Sequence, residues 1–168
     1  MGGANHPSAS FAIARIARHL AAAPALYAMP FASLGLSPAL VDAAAASGFT
    51  APTPVQTAAI PVVLKGQDLL ACAQTGSGKT AAFALALLQM LQTGSQQRNT
   101  QVLGLVLVPT RELASQVGEV ITLLAQRLAT PIKVAVVYGG VSINPQMMRL
   151  RGGADVVVAT PGRLLDLV

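Results

Sequence analysis

The 168-residue chain has no tryptophan, a single cysteine, and aromatic residues at only 4%. With two Tyr and four Phe, any core must be built from Ala, Val and Leu. Lone Cys72 excludes an intramolecular disulfide and a thiolate metal cluster, and reads as a structural thiol inside a buried strand of a reducing, cytoplasmic protein. His6 and His19 are isolated and read as solvent-exposed. Charged residues make up only 10%, and 53% of the chain is hydrophobic, which excludes a disordered polyelectrolyte. Acids are scarcer than bases, six against 11, for a net charge of +5. That balance is compatible with a polyanion such as nucleic acid, although part of the excess lies near the N-terminus. Residues 20–41 carry no charge, but Pro24, Pro30, Gly35 and Pro38 interrupt them, which argues against a transmembrane helix.

The length suits one domain. Residues 1–28 differ from the rest, with Arg15 and Arg18 and no acid before Asp42. They read as an N-terminal extension: either a targeting presequence with a short amphipathic helix at 11–20, or residues preceding a start at Met29. Residues 29–168 form the domain.

The chain is organised around Ala73-Gln74-Thr75-Gly76-Ser77-Gly78-Lys79-Thr80. The apolar run 68–72 precedes it and another, 81–91, follows, giving the order strand, glycine loop, helix that a phosphate-binding loop requires. Gly76 and Gly78 allow a sharp turn that aims successive N–H groups at an anion. The following helix adds positive charge at its amino end. Lys79 is placed for the outer phosphates and Thr80 for a magnesium ion held on them. The first position, usually Gly, is Ala73. The plain alternative is a Gly/Ser turn that happens to precede a helix.

Around this loop, Ser37 reads as an N-cap with Pro38 at the first helical position, and the helix stops at Gly48. Pro52 and Pro54 hold 48–56 as a rigid extended loop. Residues 55–64 fit a helix interrupted by Pro61, and 65–68 a turn. After a polar surface loop at 93–101, the runs 102–108, 132–138 and 154–159 read as buried parallel strands. Helices are expected at 111–128, 143–151 and from 164. The alternation argues an α/β fold with a doubly wound, open, mostly parallel sheet.

Four segments follow predicted strands: the glycine loop, Pro109 to Ala114, Gly139-Gly140, and Thr160 to Arg163. Ligands of open parallel sheets bind at the carboxyl ends of strands. Guanidinium groups and backbone N–H groups there suit phosphates. Each has a plainer reading beside it: Arg111 as a helix-surface charge next to Glu112, Gly139-Gly140 as a simple turn, and Thr160-Pro161 as an N-cap and first-turn proline.

Taken together, these segments resemble the DEAD-box ATP-dependent RNA helicases, with a RecA-like fold. Gly48 and Phe49 to Gln56 look like the Q motif, Ala73 to Thr80 like motif I, and Pro109 to Ala114 like motif Ia. Thr160 to Arg163 look like motif Ib, and Gly139-Gly140 like the GG element. The start Met29-Pro30-Phe31 is similar to the bacterial RhlE-type branch. The resemblance implies that Phe31 stacks on adenine and Gln56 reads its edge. It implies that Ala73, Gln74, Thr75, Gly76, Ser77, Gly78, Lys79 and Thr80 bind ATP, with Thr80 meeting Mg2+. It further implies that Arg111, Gly140, Thr160 and Arg163 contact the RNA backbone without reading sequence.

The family's Asp-Glu-Ala-Asp motif would come in a strand after Val168, together with a coupling motif and a second RecA-like domain. Asp155 and Asp166 are the late acids here, and neither is expected at a strand's carboxyl end. The expectation is therefore a partial RecA-like domain over 29–168, its sheet incomplete at the C-terminal end with an unpaired edge, marginal stability, and binding with negligible turnover by this chain. A truncated, non-catalytic nucleotide- or RNA-binding protein remains the alternative. Another P-loop ATPase is disfavoured by Gln56 and by Pro109 to Ala114.

Overall fold

A computed structural model describes residues 30–94 and 101–168. The readings made for 1–28, for Met29 and for the middle of the 93–101 loop lie outside these residues.

A 3-10 turn, Phe31–Leu34, leads into helix α1, Pro38–Ala46. The Ser37 hydroxyl accepts from the Leu40 N–H at 3.4 Å, and Pro38 occupies the first turn, as the sequence predicts. Gly48, at φ +88°, lets the chain leave the helix. Helix α2, Pro54–Leu64, opens with a reciprocal cap between Thr53 and Gln56. Pro61 does not interrupt α2. Burial of Val55, Ala59 and Ile60 on the side that packs against α3 outweighs the one N–H that proline removes.

Helix α3, Lys79–Thr93, follows the glycine loop. Strand β1, Gly104–Leu107, helix α4, Arg111–Ala125, strand β2, Val134–Val137, and helix α5, Asn144–Arg151, come next. Strand β3, Val156–Ala159, and helix α6, Pro161–Leu165, complete the order. The strands form one parallel sheet in the order β1-β3-β2, with Val156 level with Gly104 and Val134. All four residues of β3 are buried, as a central strand with both faces covered requires.

Alternate residues face two cores. Val156 and Val158 join Leu85, Leu88, Val117, Ile121 and Leu124 on the side of α3 and α4. Ala135, Val137, Val157 and Ala159 meet Leu150 of α5 and Leu164 of α6 on the other. Helices on both faces make this the doubly wound α/β arrangement. Gly118 brings α4 hard against β2: a Cβ added there would stand 2.3 Å from Val136 Cγ2.

Residues 68–72 are the correction. They form no strand, Leu70 is 61% exposed, and Cys72 is exposed rather than buried. An apolar run becomes a strand only when a neighbour pairs with it, and none among the described residues does. On the β1 part of the face shared with Val157 and Ala159, Leu105 and Leu107 are about half exposed. Among the described residues β1 pairs only with β3, so the expected unpaired edge is present. Helix α6 starts at Pro161, earlier than the expected 164. Among the described residues no helix is long and apolar enough to cross a membrane.

Candidate functional site

The glycine loop is positioned by helix α3 behind it. Gly78, at φ +90°, is the N-cap, and Gly76 sits at φ +78°. Both conformations favour glycine. Among the described residues no side chain caps α3, so its first N–H groups face the loop without a side-chain acceptor. Lys79 Nζ donates to the carbonyls of Ala73 and, at 2.7 Å, Gln74. The Ser77 hydroxyl oxygen is buried with no partner among the described residues. An uncapped 15-residue helix, a lysine ammonium and an orphaned hydroxyl belong to the same loop and first turn, a donor set that fits phosphate oxygens. The Thr80 side chain, one residue into the helix, is the hydroxyl at hand for a cation carried by those phosphates.

Gln56 is 1% exposed and braces this loop. Its Oε1 accepts from the Thr53 N–H at 2.9 Å, and its Nε2 donates to the Gly78 carbonyl at 3.1 Å. Space is short here, since a Cβ on Gly78 would come within 2.5 Å of Gln56 Nε2. Both ends of the Gln56 amide are thus engaged within the protein. Phe31 is 4% exposed and belongs to the core, in the 3-10 turn that packs against α2. The ring expected to offer a stacking face is packed among apolar neighbours.

At the carboxyl ends of the strands, Arg111 opens α4 behind the cap that Thr110 forms with the Leu113 N–H. The Arg111 side chain is exposed and its Nε meets Glu112 Oε1 at 2.7 Å. The hydrogen bond from Arg111, more than its charge, holds the Glu112 carboxyl below the usual range. The same bond, followed by the carboxylate's charge, raises Arg111. Arg111 is also a neighbour of Gly140, whose added Cβ would lie 3.6 Å from Arg111 Nη1. Gly140 has φ +80°. Thr160 is the N-cap residue of α6, but its hydroxyl makes no capping bond; its N–H donates to the Val137 carbonyl at 3.1 Å.

Arg163 departs from expectation. It is 8% exposed, with Nη2 donating to the Val141 carbonyl at 2.9 Å. Its Nε lies 3.3 Å from an Asp166 carboxylate oxygen, out of line for a hydrogen bond, and Nη1 has no partner among the described residues. The first turn of α6 carries the guanidinium inward, under the loop after β2, instead of out toward a ligand. The structure also brings in a residue that sequence reasoning missed. Gln146 of α5 is 6% exposed and bonds to Tyr138 and Ser142 at either end of the Gly139-Gly140 loop. Its signal is a polar residue four positions before Leu150, on the face that turns to the sheet.

The DEAD/DEAH box helicase family model matches residues 53–168. The ATP-dependent rRNA helicase RRP3 of Ajellomyces capsulatus is 44% identical over 136 residues, covering 81% of this chain and 27% of that protein. Two solved structures are similar over most of the chain. A DEAD box protein from Methanococcus jannaschii gives a TM-score of 0.72 at 40% identity, covering 82% of this chain and 36% of that one. The RNA helicase Prp28 of Chaetomium thermophilum, bound to ADP, gives 0.70 at 41%, covering 80% and 33%. The chain spans about a quarter of the length of the curated relative, 27%. Matched over residues 53–168, most of its length, the chain belongs to the DEAD/DEAH box helicase family.

Proposed function

We propose that this chain is the N-terminal ATP- and RNA-binding part of an ATP-dependent RNA helicase that separates short RNA duplexes. The observation that carries the reading is the uncapped start of α3, where Lys79 and the orphaned Ser77 hydroxyl meet a loop braced by Gln56. Residues Ala73 to Thr80 hold the triphosphate, with backbone N–H groups and Lys79 on its oxygens. Magnesium, which neutralises charge on the phosphates, takes Thr80 as its protein ligand. Gln56 reads the adenine edge by exchanging its bond to Gly78 for one to the base. Phe31 is the stacking residue and must turn a face of its ring out of the core to serve. Arg111, Gly140 and Thr160 contact the RNA sugar-phosphate backbone, and so position a strand without reading its sequence. The exposed lone thiol of Cys72 suits a reducing compartment such as the cytoplasm.

The acids speak for a second reading, binding without turnover. Asp155 lies at the amino end of β3, where its carboxylate accepts from the Lys133 N–H at 2.7 Å. Asp166 ends α6 beside Arg163, and Glu112 is engaged with Arg111. None of these three is free at the phosphate loop to orient an attacking water, a role that phosphoryl transfer assigns to a positioned group. The test is a pair of measurements on the 168-residue chain: binding of ATP against GTP, and phosphate release with and without RNA. ATP-selective binding with no release is the expected result. Equal binding of both nucleotides overturns the family-specific base site, and RNA-stimulated release overturns the non-catalytic reading of this chain.

A further inference from the structure

Tyr138 follows β2 at the outer edge of the sheet, where a further strand would pair. Its N–H donates to Gln146 Oε1 at 2.9 Å, and its carbonyl accepts from Gln146 Nε2 at 3.1 Å. A side-chain amide thus makes the two bonds that the peptide of a neighbouring strand would make. The same Nε2 donates to the Ser142 carbonyl at 3.2 Å. From α6, Arg163 Nη2 donates to the carbonyl of Val141. Two side chains, each more than nine-tenths buried and each from a different helix, hold the two ends of a loop whose middle is Gly139-Gly140.

We infer that Gln146 and Arg163 are positioning residues that fix the Gly139-Gly140 loop beside Arg111, ready for an RNA backbone. This rests on the RNA-binding reading of Arg111 and Gly140. A glycine pair is the backbone that loses most freedom on ordering. A loop left free would have to be ordered at the moment of binding, which lowers affinity. The clamp does that ordering during folding. It also accounts for a buried guanidinium so near the surface of a binding edge. Burying such a charge is unfavourable unless it meets acceptors, and the Val141 carbonyl is one. Gly140 is thereby kept at its left-handed φ next to the Arg111 guanidinium.

The test compares the wild-type chain with Gln146→Met, which keeps the side-chain length and apolar packing, and with Arg163→Met. Three quantities are read: amide exchange at Gly139 to Ser142, affinity for a fluorescent oligouridylate, and affinity for ATP. Either substitution is expected to speed exchange in that loop and to weaken RNA binding about tenfold, by returning the ordering step to the binding event. ATP affinity is expected to stay within about twofold, since the clamp does not touch the phosphate loop. Unchanged loop exchange, or a loosened loop with unchanged RNA affinity, overturns the inference. So does a parallel fall in ATP and RNA affinity in both variants, which marks general unfolding. If the wild-type chain binds no RNA, the reading of Arg111 and Gly140 fails. Loop exchange then still decides whether Gln146 and Arg163 hold the loop.

Discussion

Gln56 and Gly78 are 22 residues apart in sequence and joined by one hydrogen bond, side-chain Nε2 to backbone carbonyl, at 3.1 Å. The glutamine that caps α2 is therefore in contact with the residue that starts α3. Gln56→Ala removes both of its bonds and strands the Thr53 N–H and the Gly78 carbonyl. The expected loss of stability is about 1–3 kcal/mol. Preference for ATP over GTP is expected to vanish in the same variant. Thermal melting and competition binding measure the two effects separately; a variant that still selects ATP removes Gln56 from base recognition.

Lys79 holds its ammonium on the carbonyls of Ala73 and Gln74. On the proposed reading phosphate oxygens replace those carbonyls, so Lys79→Ala should fold normally and bind nucleotide poorly. Removing a charge-assisted hydrogen bond corresponds to about tenfold to a hundredfold in affinity. Calorimetric titration with ATP checks this. An affinity within about twofold of wild type contradicts the assignment.

Arg111 and Glu112 form an exposed pair, and on the proposed reading Glu112 competes with RNA for the same guanidinium. Glu112→Gln is expected to strengthen RNA binding a few-fold at low salt, with the gain fading as salt screens the carboxylate. Arg111→Ala is expected to weaken binding and to flatten its logarithmic salt dependence by about 0.7, the slope that one neutralised phosphate gives on a single strand. The pH dependence has a definite sign. Because the folded carboxyl of Glu112 lies below its ordinary range, the pair's contribution is complete at neutral pH. It disappears as the pH falls through that lowered value. Arg111, raised, stays charged throughout. A carboxyl resonance of Glu112 that titrates at or above the ordinary value of about 4.3 would count against the pair.

Gly118 and Val136 test the packing behind the site. Gly118→Ala forces a methyl against Val136 Cγ2. Destabilisation of about 1–3 kcal/mol is expected, with most of it recovered in the double variant with Val136→Ala. Denaturant melts of the two singles and the double measure the coupling. Additive losses would show that helix and strand do not meet as closely as described.

Features set by a residue and its near neighbours were legible in the sequence: the Ser37 cap, the positive-φ glycines of the phosphate loop, and the three apolar strands, whose ends shifted by no more than two residues. Features set by distant partners were not. Residues 68–72 have the composition of a buried strand, but pairing depends on a neighbour that composition does not supply. Cys72 inherited the same misreading. Arg163 reads as a surface cation until the Val141 carbonyl, 22 residues earlier, is seen to accept from it. Gln146 looks ordinary on α5, because its role depends on the edge of a strand it does not adjoin in sequence.

The strand order β1-β3-β2 has a consequence in time. Among the described residues the last strand is the middle one of the sheet, and β1 and β2 touch only through it. Until residues 156–159 have emerged from the ribosome there is nothing to pair, whatever helices have already formed. Synthesis at about 5–20 residues per second leaves the earlier strands unmatched for seconds. During that interval β1 and β2 carry unpaired backbone groups on both edges, and the arrival of β3 joins them to each other.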